Sequence, residues 1–247
     1  MAQKTKTDIT VYTCGTPNGI KTSILLEELG LEYKVAQFHI LPEQKEDWFL
    51  KVNPNGRIPA LTDKLHGKHV RVFESGAILQ YLVDRYDRDH RLSYPADSPE
   101  HWELMWQMSG LGPMQGQANH FIRYAPEKVE YGIHRYATET RRLYHVLDTH
   151  LAKSPSGYLV GDKVTIADIS AWGWAASALY AGVDHSEYPH VEKWLYKLLE
   201  RPGFEAGRHV PTRHTGFDYK KMSEEELKAM AESNRAWVLG TMTDGEK

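Results

Sequence analysis

Apolar positions alternate between strand and helix periods over the first ninety or so residues and then keep to the helix period. Ile9, Val11 and Thr13 alternate with Thr10 and Tyr12 in a β-branched run, which predicts a strand over 9–13. Ile20, Ile24, Leu25 and Leu29 recur at helical spacing, and Gly30 is a stop signal for that helix. A second strand is predicted over 33–38, followed by a short helix carrying Trp48, Phe49 and Val52 that ends at Asn53-Pro54. Residues 58–62 and 70–73 read as two further strands with Gly67 in the turn between them, and 77–86 as a helix. The order β-α-β-α-β-β-α describes a small α/β sandwich. Beyond His90-Arg91-Leu92-Ser93-Tyr94-Pro95 the pattern predicts helices over 100–109, 131–151, 166–180 and 190–199, and no strand. The switch from mixed α/β to all-α predicts two domains joined near 89–98. Their expected extents are 1–90 and 98–215, followed by a charged extension over 216–247.

Two local signals refine this outline. Thr165-Ile166-Ala167-Asp168 reads as a capping box with Asp in place of the usual Glu, flanked by Val164 and Ile169 as a hydrophobic staple. It is a folding signal and not a catalytic one. Residues 222–237 read as a helix with apolar Leu227, Met230 and Trp237, and two fates stand open for it: packing back on the body over a site, or a solvated, frayed terminus.

Composition narrows the function classes. The 247 residues are 41% hydrophobic and 26% charged, as in an ordinary soluble globular protein. A net charge of −3 and a pI near 6.5 point away from nucleic acid and anionic membrane surfaces. Cys14 is the one cysteine, so no intrachain disulfide forms and a reducing, cytoplasmic compartment is expected. The first residues lack the apolar core of a signal peptide, and the weakly polar stretch 171–183 is too short for a bilayer that takes ~20 residues. The 13 histidines form no metal-ligand pattern, so no metal is expected. Gly110-Leu111-Gly112-Pro113-Met114-Gln115-Gly116 lacks the spacing and preceding strand of a dinucleotide fingerprint. Trp102, Trp106, Trp172, Trp174 and Trp194 are read as core or pocket walls.

Three short runs carry candidate chemistry, each with a structural alternative. In Asn53-Pro54-Asn55-Gly56-Arg57-Ile58-Pro59-Ala60-Leu61, a cis Ile58-Pro59 bond would turn the Ile58 backbone outward to pair with an extended ligand. Taken alone, the run reads first as an ordinary trans proline opening an edge strand. In Phe73-Glu74-Ser75-Gly76-Ala77-Ile78, a helix starting at Ser75 would offer free N–H groups and a partial positive charge to a carboxylate. Glu74 would take the ammonium beside it, so the pair suits the zwitterionic end of an amino acid; a plain N-cap is the alternative. In Thr16-Pro17-Asn18-Gly19, a strand-to-helix turn places Thr16 or Asn18 where a donor can stabilise a thiolate. Moving a thiol from ~8.5 to near 7 takes about 2 kcal/mol. Simple helix capping is again the alternative.

These runs, in this order, resemble the cytosolic glutathione transferases. Within that superfamily the chain is similar to the bacterial nu-class enzymes and to fungal relatives of the yeast nitrogen-regulating prion protein. The similarity spans about 9–210, and Thr16-Pro17-Asn18-Gly19 and Gly110-Leu111-Gly112-Pro113-Met114 are its branch-specific parts. The resemblance implies a thioredoxin-like domain, an all-helical domain, a homodimer and a glutathione site. In that site Ile58 would pair with the cysteinyl backbone beside a cis Pro59, and Glu74 and Ser75 would hold the γ-glutamyl end. Gln44 and Arg57 would meet the glycyl part, Asn18 and Thr16 would face the sulfur as the catalytic pair, and Arg135 would reach in from the helical domain.

The usual tyrosine, serine or cysteine after the first strand is missing: Cys14 lies before the turn and reads as packing, as does Tyr12. Poor conjugation and glutathione-dependent disulfide or peroxide reduction are therefore implied. The second substrate, a small electrophile or disulfide, is expected near Met114, Asn119, His120 and Tyr124. The competing class is a non-catalytic binding or regulatory protein on the same fold.

Overall fold

The structure, a computed structural model, describes residues 4–38, 43–103 and 109–243. Strand β1 (Thr10–Thr13) leads into helix α1 (Gly19–Leu29), and β2 (Lys34–Gln37) returns parallel to β1 with Val11 opposite Val35. A 3₁₀ turn (Glu43–Lys45) and the short α2 (Asp47–Leu50) bridge to β3 (Ala60–Leu65). This strand runs antiparallel to β1, with Leu61 opposite Val11, and pairs antiparallel with β4 (Lys68–Phe73). The sheet order is β2-β1-β3-β4, and α3 (Ser75–Tyr86) closes the unit.

Each element begins or ends where its chemistry changes. Gly30 takes φ 68° at the end of α1, a left-handed stop that residues with a Cβ adopt at a cost. Helix α1 is buried along most of its length, with polar Lys21, Thr22 and Ser23 taken into the interior beside Ile20, Ile24, Leu25 and Leu26. Buried Asp63 on β3 accepts from the Tyr81 and Tyr86 hydroxyls at 2.8 and 2.6 Å and sits 3.2 Å from the Arg85 guanidinium. That pairing satisfies a buried carboxylate and pins α3 against the sheet.

The remainder is helical. The helices are α4 (Pro99–Trp102), α5 (Leu111–Asn119) with a π turn at His120–Tyr124, and α6 (Glu130–Lys153). They are followed by α7 (Ile166–Ala175), α8 (Pro189–Leu199), α9 (Pro202–Gly207) and α10 (Glu224–Thr243). A thioredoxin-like sheet and helix unit thus precedes a helical one. The Thr165–Asp168 capping box forms: Thr165 accepts from the Ala167 N–H, and Asp168 accepts from the Thr165 N–H. Asp168 also accepts from Trp194 Nε1 at 2.8 Å, inside a core that holds Trp172 and Trp194 fully buried.

The helical unit is fastened to α1. Ser23 donates to the Gly207 carbonyl at 2.7 Å, and Arg201 meets Glu28 at 2.6 Å.

Several sequence expectations are corrected. The helix expected over 166–180 ends at Ala175, and a 3₁₀ turn takes Ala178–Ala181. Helix α5 was not expected, because three glycines and Pro113 lie in or beside it and lower its propensity. Pro113 is tolerated in the first turn, where its missing N–H has no partner to lose. Of the helix expected over 100–109, the part to Trp102 is seen in Pro99–Trp102, and residues 104–108, Trp106 among them, lie outside the described residues. Trp102 is 78% exposed, so it is neither core nor pocket wall.

Candidate functional site

A cavity of about 990 Å³ opens between the sheet unit and the helices, at the upper end of the roughly 300–1,000 Å³ usual for ligand sites. Its walls come from both units.

The first wall is the turn between β1 and α1. Thr16 caps α1: its hydroxyl accepts from the Gly19 N–H at 3.1 Å and its carbonyl from the Ile20 N–H at 3.1 Å. Asn18 occupies the N-cap position yet makes no side-chain capping bond. Its Oδ1 instead accepts from Trp174 Nε1 at 3.0 Å, across 156 residues of sequence. Cys14 borders the same turn, and burial pushes its thiol up to about 11 against the pull of a hydrogen bond from Thr16. That thiol stays protonated at neutral pH and is a poor nucleophile. Tyr12 packs on the Trp48 and Phe49 rings, with centroids 6.2 and 5.9 Å away, and does not line the cavity.

The second wall is the loop entering β3. The Ile58–Pro59 peptide is cis; Ile58 lines the cavity, and Pro59 is buried behind it. Asn53 shapes this loop, donating to the Arg57 carbonyl at 2.6 Å and accepting from the Asn55 N–H at 2.9 Å. Arg57 and buried Gln44 line the cavity beside Ile58.

The third wall is the start of α3. Glu74 holds φ 71°, a left-handed conformation costly for a residue with a Cβ and concentrated at ligand sites. Ser75, the first residue of α3, is buried. Lys21, which sequence reading passed over, reaches this corner from α1 with its Nζ 3.4 Å from Ser75 Oγ. Burial pulls Lys21 down to about 7, and the Glu74 carboxylate works in the opposite direction. A lysine in a run of helical apolar positions gives no sequence sign that it faces a cavity; only the packing of α1 against α3 reveals it.

The remaining walls are helical. Asn119, His120 and Tyr124 line the cavity as expected, with Trp174 and Tyr180 beside them. The buried Asn119 Oδ1 has no hydrogen-bond partner among the described residues. Met114 packs against the core instead of the cavity. Arg135 also lies elsewhere: it is exposed on α6 with its guanidinium over the Tyr136 ring, and it does not line the cavity. Its sequence position matched, but helix rotation turns it away from the cavity.

Residues 211–219, which carry no sequence signal for a site, and α10 complete the enclosure. His214, its ring tilted against Trp172 with centroids 5.8 Å apart, is pulled down to about 4 by burial and remains neutral. Met230, Asn234 and Val238 of α10 face the cavity. The helix is held there by Arg123–Glu224 at 2.7 Å, by Arg235 donating to the Tyr124 and Ala125 carbonyls, and by buried Leu227 and Ala231 packed near Tyr180. Of the two fates open for this segment, packing back over a site is the one observed. Among the described residues no group of three or more His, Cys, Asp or Glu could hold a metal ion, and no helix is long and apolar enough to cross a membrane.

Comparison with known proteins matches the same two units. Residues 7–84 match the glutathione S-transferase N-terminal domain model, and 130–195 match the C-terminal domain model. The disulfide-bond oxidoreductase YghU of Escherichia coli is 36% identical over 250 residues, covering 90% of this chain and 85% of that protein. A crystal structure of a glutathione transferase homolog from Lodderomyces elongisporus, with two GSH per subunit, superposes with a TM-score of 0.78. It is 45% identical and covers 83% of this chain and 99% of that one. The glutathione transferase URE2P6 of Phanerochaete chrysosporium, in complex with oxidized glutathione, is 41% identical with a TM-score of 0.75. It covers 81% of this chain and 94% of its own. Two matched domain models in the right order, on a sheet and helix arrangement shared with these structures, place the chain in the glutathione S-transferase superfamily, in its Ure2p-like branch.

Proposed function

We propose that this protein is a glutathione-dependent enzyme that binds the tripeptide across the three walls and uses its thiolate on a disulfide, a peroxide or a small electrophile. The observation that carries this reading is the convergence of Asn18, Ile58 and the Glu74–Ser75 corner on one cavity. The relatives named above support the choice of ligand.

Ser75 and the first turn of α3 take the γ-glutamyl carboxylate, assisted by the Lys21 charge, and Glu74 takes its ammonium. The Ile58 backbone pairs with the cysteinyl unit, and Arg57 and Gln44 lie toward the glycyl end. The sulfur then faces the turn before α1. The Thr16 hydroxyl accepts from the Gly19 N–H and its own proton is directed at Cys14, so the Asn18 amide is the donor left for the thiolate.

A thiolate held there attacks one sulfur of a disulfide. A new S–S bond to glutathione forms, the other sulfur leaves as a thiolate, and that thiolate takes a proton from water. A second glutathione resolves the mixed disulfide by the same exchange. The protein's part is to orient the sulfur and keep it ionised. Cys14, protonated and packed, takes no part. The reading carries with it a homodimer in the cytoplasm, supported by the family resemblance and the single cysteine.

The test is retention on immobilised glutathione with elution by free glutathione, followed by turnover of a small disulfide and of an aromatic halide. Retention with faster disulfide reduction than conjugation is expected. Failure of retention overturns the reading. Retention with no turnover of either substrate replaces the enzyme with a binding protein.

A further inference from the structure

We propose that Trp174 is a positioning residue: its indole N–H locks the Asn18 amide in the one orientation that turns the Nδ2 hydrogens toward the sulfur of a bound thiol. The proposal rests on the glutathione reading above.

An asparagine amide presents an acceptor on one side and two donors on the other, and its two orientations differ by a half-turn. At the N-cap of a helix the oxygen usually settles the matter by accepting from the first turn. Here Thr16 has taken that role and Asn18 makes no capping bond, so the cap does not fix the amide. The indole does. A tryptophan Nε1 can only donate, so its partner at 3.0 Å must be Asn18 Oδ1. The flipped amide would set N–H against N–H at that contact and turn the carbonyl oxygen toward the sulfur. An oxygen there repels a thiolate; a donor there stabilises it.

The tryptophan is itself well fixed. Its carbonyl accepts from Gln115 Nε2 at 2.9 Å, which holds the C-terminal half of α7 against α5. Its ring lies over Gly116, where an added Cβ would come 3.3 Å from the indole. The neighbouring Gly173 lets α7 approach the turn closely, since a Cβ there would stand 2.5 Å from the Pro17 carbonyl oxygen. The wall facing the sulfur is thus assembled from both units: the sheet unit brings the amide and the helical unit decides which way it points.

The test is the pKa of the bound glutathione thiol, followed by thiolate ultraviolet absorbance, in the full chain and in Trp174→Phe, Asn18→Ala and the double variant. Phenylalanine keeps the ring and removes the N–H. Trp174→Phe should raise the thiol pKa by about one unit, tenfold less thiolate at a given pH below it. Affinity for S-methylglutathione, which has no thiol to ionise, should change less than about twofold. In the Asn18→Ala background the same substitution should add nothing, because the tryptophan acts through the amide. An unchanged thiol pKa in Trp174→Phe overturns the proposal, as does an equal shift with and without Asn18. A parent protein that binds no glutathione overturns the functional reading and this proposal together. A parent that binds it with a lowered thiol pKa, unaltered in Trp174→Phe, overturns this proposal alone.

Should Trp174→Phe fail to fold, hydrogen exchange of the Trp174 indole N–H in the parent and in Asn18→Ala decides. Faster exchange in Asn18→Ala supports the bond, and equal exchange rejects it.

Discussion

Lys21 is a cavity residue whose chemistry departs far from its ordinary range. Its ammonium is almost wholly out of water, and burial pulls it down to about 7. Between that value and 10.5 the unfolded chain binds a proton that the folded chain does not, so this group makes stability rise with pH across that window. Ligand binding has the opposite sign. A carboxylate placed at Ser75 favours the charged lysine, so an anionic ligand binds best below about 7 and loses affinity as the lysine deprotonates. The dissociation constant of S-methylglutathione should therefore rise severalfold between about pH 6 and about pH 8. In Lys21→Met it should be weaker at the low end and nearly flat. A parent profile as flat as the variant's would remove Lys21 from the ligand's surroundings.

The contrast with Asn18 shows what residue-level reading could reach. The turn Thr16-Pro17-Asn18-Gly19 announced a donor beside a helix start, but not which of two residues would spend itself on the cap. That choice depends on Trp174, far along the chain, which removes Asn18 from capping. Arg135 fails for a related reason: motif position fixes the helix, whereas rotation about its axis is fixed by which residues that helix buries.

At the scale of elements, the β-α-β and β-β-α order was legible because the periods differ sharply and the breakers stand between them. Helix α5 was not, since its glycines argue against a helix until the indole over Gly116 shows why a small residue is needed there. Helix α10 was legible as a helix, and its apolar positions left open whether it would pack as a wall or fray. Its inward residues Met230, Asn234 and Val238 close the side of the cavity away from the Glu74–Ser75 corner, where the second substrate would lie. Its anchors are few: one ion pair to Arg123, two carbonyl contacts from Arg235, and the small cluster around Leu227. Arg123 is buried but Glu224 is 63% exposed, and a pair open to water on one side holds weakly, about 0–1 kcal/mol. Truncation after residue 222 should therefore leave glutathione affinity within about twofold of the parent. The KM for a disulfide acceptor should rise severalfold, as steady-state kinetics at saturating glutathione would show. A rise in the glutathione dissociation constant with no change for the acceptor would place α10 on the wrong side of the cavity.

At the scale of the molecule, the site exists only because two units are held at one fixed distance. The Ser23–Gly207 and Arg201–Glu28 contacts clamp α1 to α9, and α1 carries both the sulfur turn and Lys21. The local features of the sheet unit, the cis Ile58–Pro59 bond and the helix start at Ser75, were legible because a local turn or helix start creates them. The helical walls were read poorly because they come from separate stretches at 112–124, 174–180 and 211–238, brought together by tertiary packing alone. The sheet unit's walls therefore come from the first third of the chain, and the helical walls from the rest.

The central claim is that the Glu74–Ser75 corner binds one end of glutathione, and a calorimetric titration of glutathione into the parent and into Ser75→Ala tests it most directly. Loss of a hydrogen bond to a charged group is worth about 1.5–3 kcal/mol, so affinity should fall by roughly tenfold or more in the variant while the parent shows saturable binding. Equal affinities in the two proteins, or no saturable heat in the parent, would contradict the account.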